Sequence, residues 1–269
     1  MPATQADAIN TGAEFADADV VRAYAFRTDY PTALHARLLE LTAGRGRLLD
    51  LGCGPGKLAR ALAGQFGRVL AVDPSPAMLR LGQDLDRGAN PNIDWIDATA
   101  ETVRLEPPLD LIVAGASIHW MSPALVFPKL AAALPEPGLM AIIDGDGPAQ
   151  APWIEAWRAV IRNWVGRLGG VWNGPAHQAL MSAHEPWFDR VGVETFTALV
   201  EQAVDDLIEA EHSRASWARA KMGDLAGAFD AELRAVLEPH AQAGRVSFEV
   251  RSQLSWGRPL AAPRTEGEP

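Results

Sequence analysis

The run Leu48-Leu49-Asp50-Leu51-Gly52-Cys53-Gly54-Pro55-Gly56-Lys57 limits what this chain can fold into more than any other stretch. An apolar strand, Arg47–Leu51, ends on three alternate glycines and opens a helical pattern over Lys57–Phe66. Glycine lets the backbone turn sharply and lets a ligand approach main chain that a Cβ would shield. The next strand pattern, Arg68–Val72, ends at Asp73, where an acid is placed to accept hydrogen bonds from the two hydroxyls of a ribose. A glycine loop and an acid on consecutive strands describe a site for a nucleoside bearing an anionic or zwitterionic group. A glycine turn inside an ordinary α/β protein is the plainer alternative.

The rest of the first half repeats the rhythm. Helical patterns at Pro76–Arg87 and Pro123–Leu134 alternate with strand patterns at Asn92–Ile96, Leu109–Ala114 and Leu139–Asp144. Strands alternating with helices imply βαβ units and a parallel sheet. Upstream, Asp19–Thr42 reads as two short helices broken at Pro31. After Asp146 the rhythm breaks. Residues 149–190 read as a helical, tryptophan-rich insertion over the carboxyl edge of the sheet, with a glycine-rich bend at Gly166–Gly174. A strand at Glu194–Ala203, helices around Asp205–Met222 and Leu225–Ala243, and a last strand at Val246–Trp256 complete the pattern. The expected organisation is a flexible leader over 1–18, one domain over 19–260 with 149–190 as a lid, and a flexible tail over 261–269.

Composition narrows the function. The formal net charge is −10, and three lysines and twenty-one arginines are scattered without runs, which argues against nucleic acid as a partner. Cys53 is the sole cysteine, the first residues lack a signal-like apolar core, and no apolar run is long enough to span a membrane. A cytoplasmic protein with no membrane partner is expected.

The glycine loop also discriminates among nucleotides. A dinucleotide fingerprint requires glycine or alanine where Lys57 stands, and Asp50 would repel a pyrophosphate. Asp50 suits an ammonium group instead. S-adenosylmethionine, with its ribose, adenine, carboxylate and α-ammonium, fits every element. No phosphate-binding G-x-x-x-x-G-K-[ST] sequence occurs.

The segments LLDLGCGPG, VLAVDPSPAML, ATAE and LDLIVAGASIHW, in this order, resemble the class I S-adenosylmethionine-dependent methyltransferases, in particular a small-molecule branch with His-Trp after the fourth strand. The resemblance covers about residues 20–145. It implies a Rossmann-like α/β fold with a seven-stranded, mostly parallel sheet of order 3-2-1-4-5-7-6, helices on both faces and an antiparallel last strand, for which Val246–Trp256 is the candidate. It also implies roles. Asp50 and the backbone of Gly52, Gly54 and Gly56 would hold the methionine end, Asp73 the ribose, and Pro74 or Met78 the adenine face. Thr99 and Ala100 fall where the family reads the adenine edge, although the family usually has Asp at the position of Thr99. Ala114 falls where a main-chain carbonyl often meets the ammonium. Tyr24, Arg27 and Tyr30 resemble an entry motif in which Thr28 replaces a proline, and Arg27 is expected to reach the cofactor carboxylate.

The remaining candidates each carry two readings. His119 would serve as general base toward an acceptor hydroxyl, or it is a structural histidine beneath the lid. Trp120, Trp157 and Trp172, with Tyr24 and Tyr30, would wall a pocket for a small acceptor, or the tryptophans pack the insertion's helices. His177, His184 and Glu185 have no recognised metal spacing, so no metal is expected. Methyl transfer in secondary metabolism is the expected activity. The alternative is a fold relative that binds the cofactor without transferring methyl, as a cyclase-like catalyst or a regulatory partner.

Overall fold

The computed structural model describes residues 15, 17–169 and 174–264. Two helices, α1 (Ala18–Tyr24) and α2 (Thr32–Leu41), precede the sheet. The alternating region follows as β1 (Arg47–Leu51), α3 (Lys57–Leu62), β2 (Arg68–Asp73), α4 (Pro76–Asp86), β3 (Ile93–Asp97), β4 (Leu111–Gly115), α5 (Pro123–Ala133) and β5 (Leu139–Asp144). A short β6 (Pro148–Gln150), α6 (Ile154–Arg167) and α7 (Gly174–Ser182) lead to β7 (Phe188–Ala203). The chain ends through α8 (Val204–Glu211), α9 (Arg219–Met222), α10 (Ala226–Leu237) and β8 (Arg245–Pro259).

β1 to β5 pair in parallel in the order β3-β2-β1-β4-β5, and β8 joins β5 antiparallel. β7 pairs with the other side of β8, while β6 pairs with β8 beyond the end of β5. With the three-residue β6 set aside, this is the expected order with a single antiparallel strand. The inner strands are apolar on both faces, as a sheet covered on both sides requires. Along β4, Leu111 and Val113 face one core with Leu34, Leu58 and Leu62, whereas Ile112 and Ala114 face another with Val126, Phe127 and Leu130. The side-chain period of two thus sets α2 and α3 on one face and α5 on the other.

The second half departs from expectation in two ways. Phe188–Arg190, assigned to the helical insertion, is strand, because β7 runs for 16 residues beside β8. Trp153, Trp157 and Trp164 of the insertion lie in a third core with Leu207, Phe229, Leu233, Phe248 and Val250. Their spacing puts all three on one face of α6, which packs onto α8, α10 and the far end of β8.

Candidate functional site

The carboxyl ends of β1, β2 and β4 open onto a cleft of about 770 Å³. Its floor is the glycine loop. Gly52 (φ +68°) and Gly56 (φ +72°) adopt left-handed backbone, and a Cβ at either would stand 2.6 Å from the Ser117 Cβ or 2.5 Å from the Trp95 ring. The loop is fastened to β2: Gly52 N–H and Cys53 N–H donate to the Val72 carbonyl at 2.8 and 2.9 Å. Gly56 caps α3 and does not line the cleft, whereas Gly52 and Gly54 do.

Asp73 sits at the cleft wall, where β2 ends. Its Oδ2 accepts the Gly54 N–H at 2.8 Å and its Oδ1 accepts the Ser75 N–H at 2.9 Å. Each oxygen accepts one of these bonds and keeps further acceptor capacity. Burial pushes the Asp73 carboxyl above its ordinary value, against those two hydrogen bonds. Ser75 caps α4 by accepting the Met78 N–H at 3.2 Å, which sets Pro74, Ser75 and Met78 along the same wall. Opposite stand Ala98, Thr99, Ala100 and Glu101. Thr99 is already engaged with Thr102, 3.1 Å between hydroxyls.

A smaller hollow of about 280 Å³ adjoins the cleft, sharing Tyr24, Gly52 and Gly115. Asp50 and Lys57 both line it, together with Tyr30. Asp50 is 1% exposed and accepts the Ala59 N–H at 2.9 Å. Burial and the nearby Asp73 drive its carboxyl up to about 7, with the Ala59 bond opposing. Lys57 Nζ donates to the Thr28 carbonyl and lies 3.3 Å from Asp146 Oδ2, which occupies two of its three N–H donors. Burial alone would raise Asp146, but Lys57, Arg27 and Arg214 together hold it down at about 2. The hollow is therefore lined by an acid and an ammonium.

Several expected residues lie elsewhere. Arg27 lines neither space: its Nε donates to Ser213 Oγ at 2.7 Å, its guanidinium stacks 4.2 Å over the Tyr24 ring, and Asp146 lies 3.6 Å away. Ala114 is fully buried within β4, and the cleft instead meets the next two residues, Gly115 and Ala116. Ala116 has φ +51°, a backbone cost for a residue with a Cβ, and its N–H donates to the Ile143 carbonyl at 2.8 Å. Trp120 lines the cleft, whereas His119 does not; its ring packs 4.9 Å from that of Trp120. Trp157 is 4% exposed in the third core and lines neither space, so it does not wall this site. Trp172 lies outside the described residues. Of the insertion, α7 rests against the Ile118–Trp120 turn beside the cleft.

Three participants had no role in the sequence reading: Lys57 as a hollow-lining cation, Asp146, and Phe15. Phe15 lies in the segment expected to be a leader, yet it lines the cleft, edge-on to Tyr24 at 6.2 Å and to Trp120 at 5.6 Å. Its carbonyl accepts the Ser75 hydroxyl at 2.6 Å. Position immediately after the last loop glycine was the available signal for Lys57. None of comparable strength marks Asp146 or Phe15.

An open parallel sheet with a glycine loop, an acid ending the second strand and a cleft over the carboxyl ends is the arrangement in which doubly wound α/β proteins place their ligand crevice. Comparison sharpens this. Residues 48–138 match the family model described as a methyltransferase domain. A solved structure of a candidate type II methyltransferase from Anaeromyxobacter dehalogenans superposes with a TM-score of 0.66 at 24% identity, covering 87% of this chain and 98% of that one. A candidate methyltransferase from an antibiotic biosynthesis pathway of Anabaena variabilis gives 0.54 at 17%, covering 86% and 98%. At such identities these two likenesses establish the fold. No curated protein matches the sequence. Residues 48–138 thus match a methyltransferase domain, and the whole chain shares its fold with solved candidate methyltransferases.

Proposed function

We propose that the protein transfers a methyl group from S-adenosylmethionine to a small-molecule acceptor. The observation that carries this reading is the pairing of Asp50 and Lys57 in one hollow, continuous with a cleft that ends on Asp73. A zwitterionic amino-acid end needs an anion and a cation a few ångströms apart. A buried acid pushed up to about 7 is one that gains from an ammonium beside it. Asp73 would accept from the ribose hydroxyls, while Pro74, Met78 and Ala100 supply apolar contact to the adenine and Thr99 flanks its edge. A pyrophosphate would meet Asp50 and Asp73 instead of free backbone donors.

S-adenosylmethionine, when bound, supplies an electrophilic methyl group on a sulfonium. The residues of this chain then have three tasks: to hold its two ends, to bring the acceptor into line, and to keep water out. Tyr24, Phe15 and Trp120 stand over the cleft and form the natural walls for the acceptor, with Tyr30 behind Gly115 at the base of the hollow. His119, one residue from the cleft lining, would act on the acceptor proton only after its ring turns from its present packing against Trp120. Substrate choice then falls to the aromatic rim and the loops around Thr28 and Asp146, with Arg27 fixing Tyr24 from behind.

The test is incubation with methyl-labelled S-adenosylmethionine and a panel of small hydroxyl, amine, thiol and carbon acceptors, with the label followed into product. Transfer to at least one acceptor, abolished by Asp73→Ala, is the expected result. Tight binding of S-adenosylhomocysteine with no transfer to any acceptor class would favour the non-methylating reading.

A further inference from the structure

β7 is the outer edge of the sheet: among the described residues it pairs only with β8. An edge strand displays a row of unpaired N–H and C=O groups, and natural proteins usually guard it with lysine, proline, bulges or a short length. β7 has 16 residues, none of them lysine or proline, and its one register shift lies near its start, between Arg190 and Gly192. From Val193 to Ala203 the pairing is regular.

The side chains are as unusual as the backbone. Seven large apolar residues are exposed among the described residues, and three of them stand on this strand: Val191 at 71%, Val193 at 52% and Leu199 at 81%. Alternation places Val193, Thr195, Thr197 and Leu199 on the outward face, a stripe without charge. Phe196, on the other face, packs toward the core that holds Leu34 and Leu38.

We propose that two copies of this chain associate through β7, antiparallel about a two-fold axis at Phe196, so that their sheets become one. The apolar and charged side chains of the regular stretch select this register. With the axis at Phe196, Val193 faces Leu199 of the other copy in both directions, Thr195 faces Thr197 and Glu194 faces Ala198, all within the regular stretch. With the axis at Thr195, Val193 would face Thr197, which gives up the apolar pairs; with the axis at Glu194, that glutamate would face itself. With the axis at Thr197, Val193 would face Glu201 and Leu199 would face Thr195, which sacrifices the apolar pairs. Directly opposed like charges destabilise an antiparallel pair, and apolar pairs stabilise it. The isologous contact closes on itself and leaves no free edge at either β7. Because each copy carries a net charge of −10, the association strengthens as salt screens their repulsion.

Sedimentation of the purified full chain across the micromolar range tests this. The expected result is the mass of two chains, tighter at high salt, with Leu199→Lys and Val193→Lys each giving a single chain that keeps its circular dichroism spectrum and unfolds cooperatively. Leu125→Lys, at an exposed apolar site on α5, keeps the dimer mass. Register is read by oxidation, since Cys53 is buried and is the sole native cysteine. A mixture of Thr195→Cys and Thr197→Cys chains cross-links between the two variants and neither cross-links alone. A single-chain mass for the wild type throughout, a dimer that survives both lysine substitutions, or equal cross-linking of each cysteine variant with itself would overturn the proposal.

Discussion

The cleft over the glycine loop and the tryptophan core at the far end of β8 draw on the same kinds of aromatic side chain, and only the cleft is the proposed site. Around the cleft, Phe15, Tyr24 and Trp120 surround space, and the buried acid Asp73 lines it with one hydrogen bond accepted at each oxygen. In the other region Trp153, Trp164 and Phe229 fill space, with Trp153 edge-on to Phe248 at 5.8 Å and Trp164 edge-on to Phe229 at 5.5 Å. Trp164 Nε1 donates to Glu232 at 3.1 Å, which satisfies its polar end inside the protein. Aromatic content therefore does not mark a binding site. The glycine-loop backbone does, since unspent hydrogen-bonding capacity occurs in both regions: Trp153 Nε1 is buried without a partner, and its side chain lines a hollow of about 650 Å³.

The sharpest way to break the contrast is to truncate one tryptophan. Trp164→Ala or Trp157→Ala should cost about 3–5 kcal/mol of stability, the usual result of emptying a large aromatic site in a packed core. Chemical denaturation measures this, and the affinity of the folded fraction for S-adenosylhomocysteine should not change. Weakened binding with unchanged stability would move the tryptophans back into the site.

In the cleft the pattern reverses. Asp73→Ala should weaken S-adenosylhomocysteine binding by about 1.5–3 kcal/mol, through loss of charge-assisted hydrogen bonds in a buried place. Calorimetric titration reads it. An unchanged dissociation constant would mean that the ribose is held elsewhere.

Two carboxyls sharpen the comparison through pH. Asp146 is held at about 2 against an ordinary 3.8, so its folded state favours the ionised form. It contributes stability above 3.8 that is lost as pH falls toward 2, about 2 kcal/mol in all, and denaturation at a series of pH values should lack that step in Asp146→Asn. Asp50 goes the other way. Its folded value near 7 lies above 3.8, so the folded state retains a proton that the unfolded chain has lost, and stability falls as pH rises through that interval. An ammonium needs the ionised form. Affinity for S-adenosylhomocysteine should therefore fall roughly tenfold for each unit of pH below 7, with proton release on binding, and Asp50→Asn should abolish the dependence. The smallest effect is expected at Thr99, whose hydroxyl is spent on Thr102. Thr99→Ala should change cofactor affinity by less than about 0.5 kcal/mol.

Much of this was legible in the sequence because it is local. The five parallel strands begin and end within about two residues of their patterns, since each is a short run bounded by turn residues. Asp50 and Asp73 were legible because they keep fixed offsets from glycines. What escaped is non-local. Lys57 and Asp146 are 89 residues apart and meet only when the loop after β5 folds over the start of α3. Arg27 reads as a cofactor ligand until Ser213, 186 residues away, is seen to hold it. The tryptophans carried a readable clue, a shared helical face, but the surface that face would meet was hidden until β7 and β8 were in place. The same non-locality hid Phe15, whose position on the cleft depends on Ser75.

In the proposed function Asp50, Lys57 and Asp73 together hold an adenosyl amino acid. Calorimetric titration of the wild-type protein with S-adenosylhomocysteine and, separately, with NAD tests it most directly. One equivalent of S-adenosylhomocysteine should bind far more tightly than NAD, whose pyrophosphate would have to lie against two buried acids. Binding of NAD with equal or greater affinity would contradict the account.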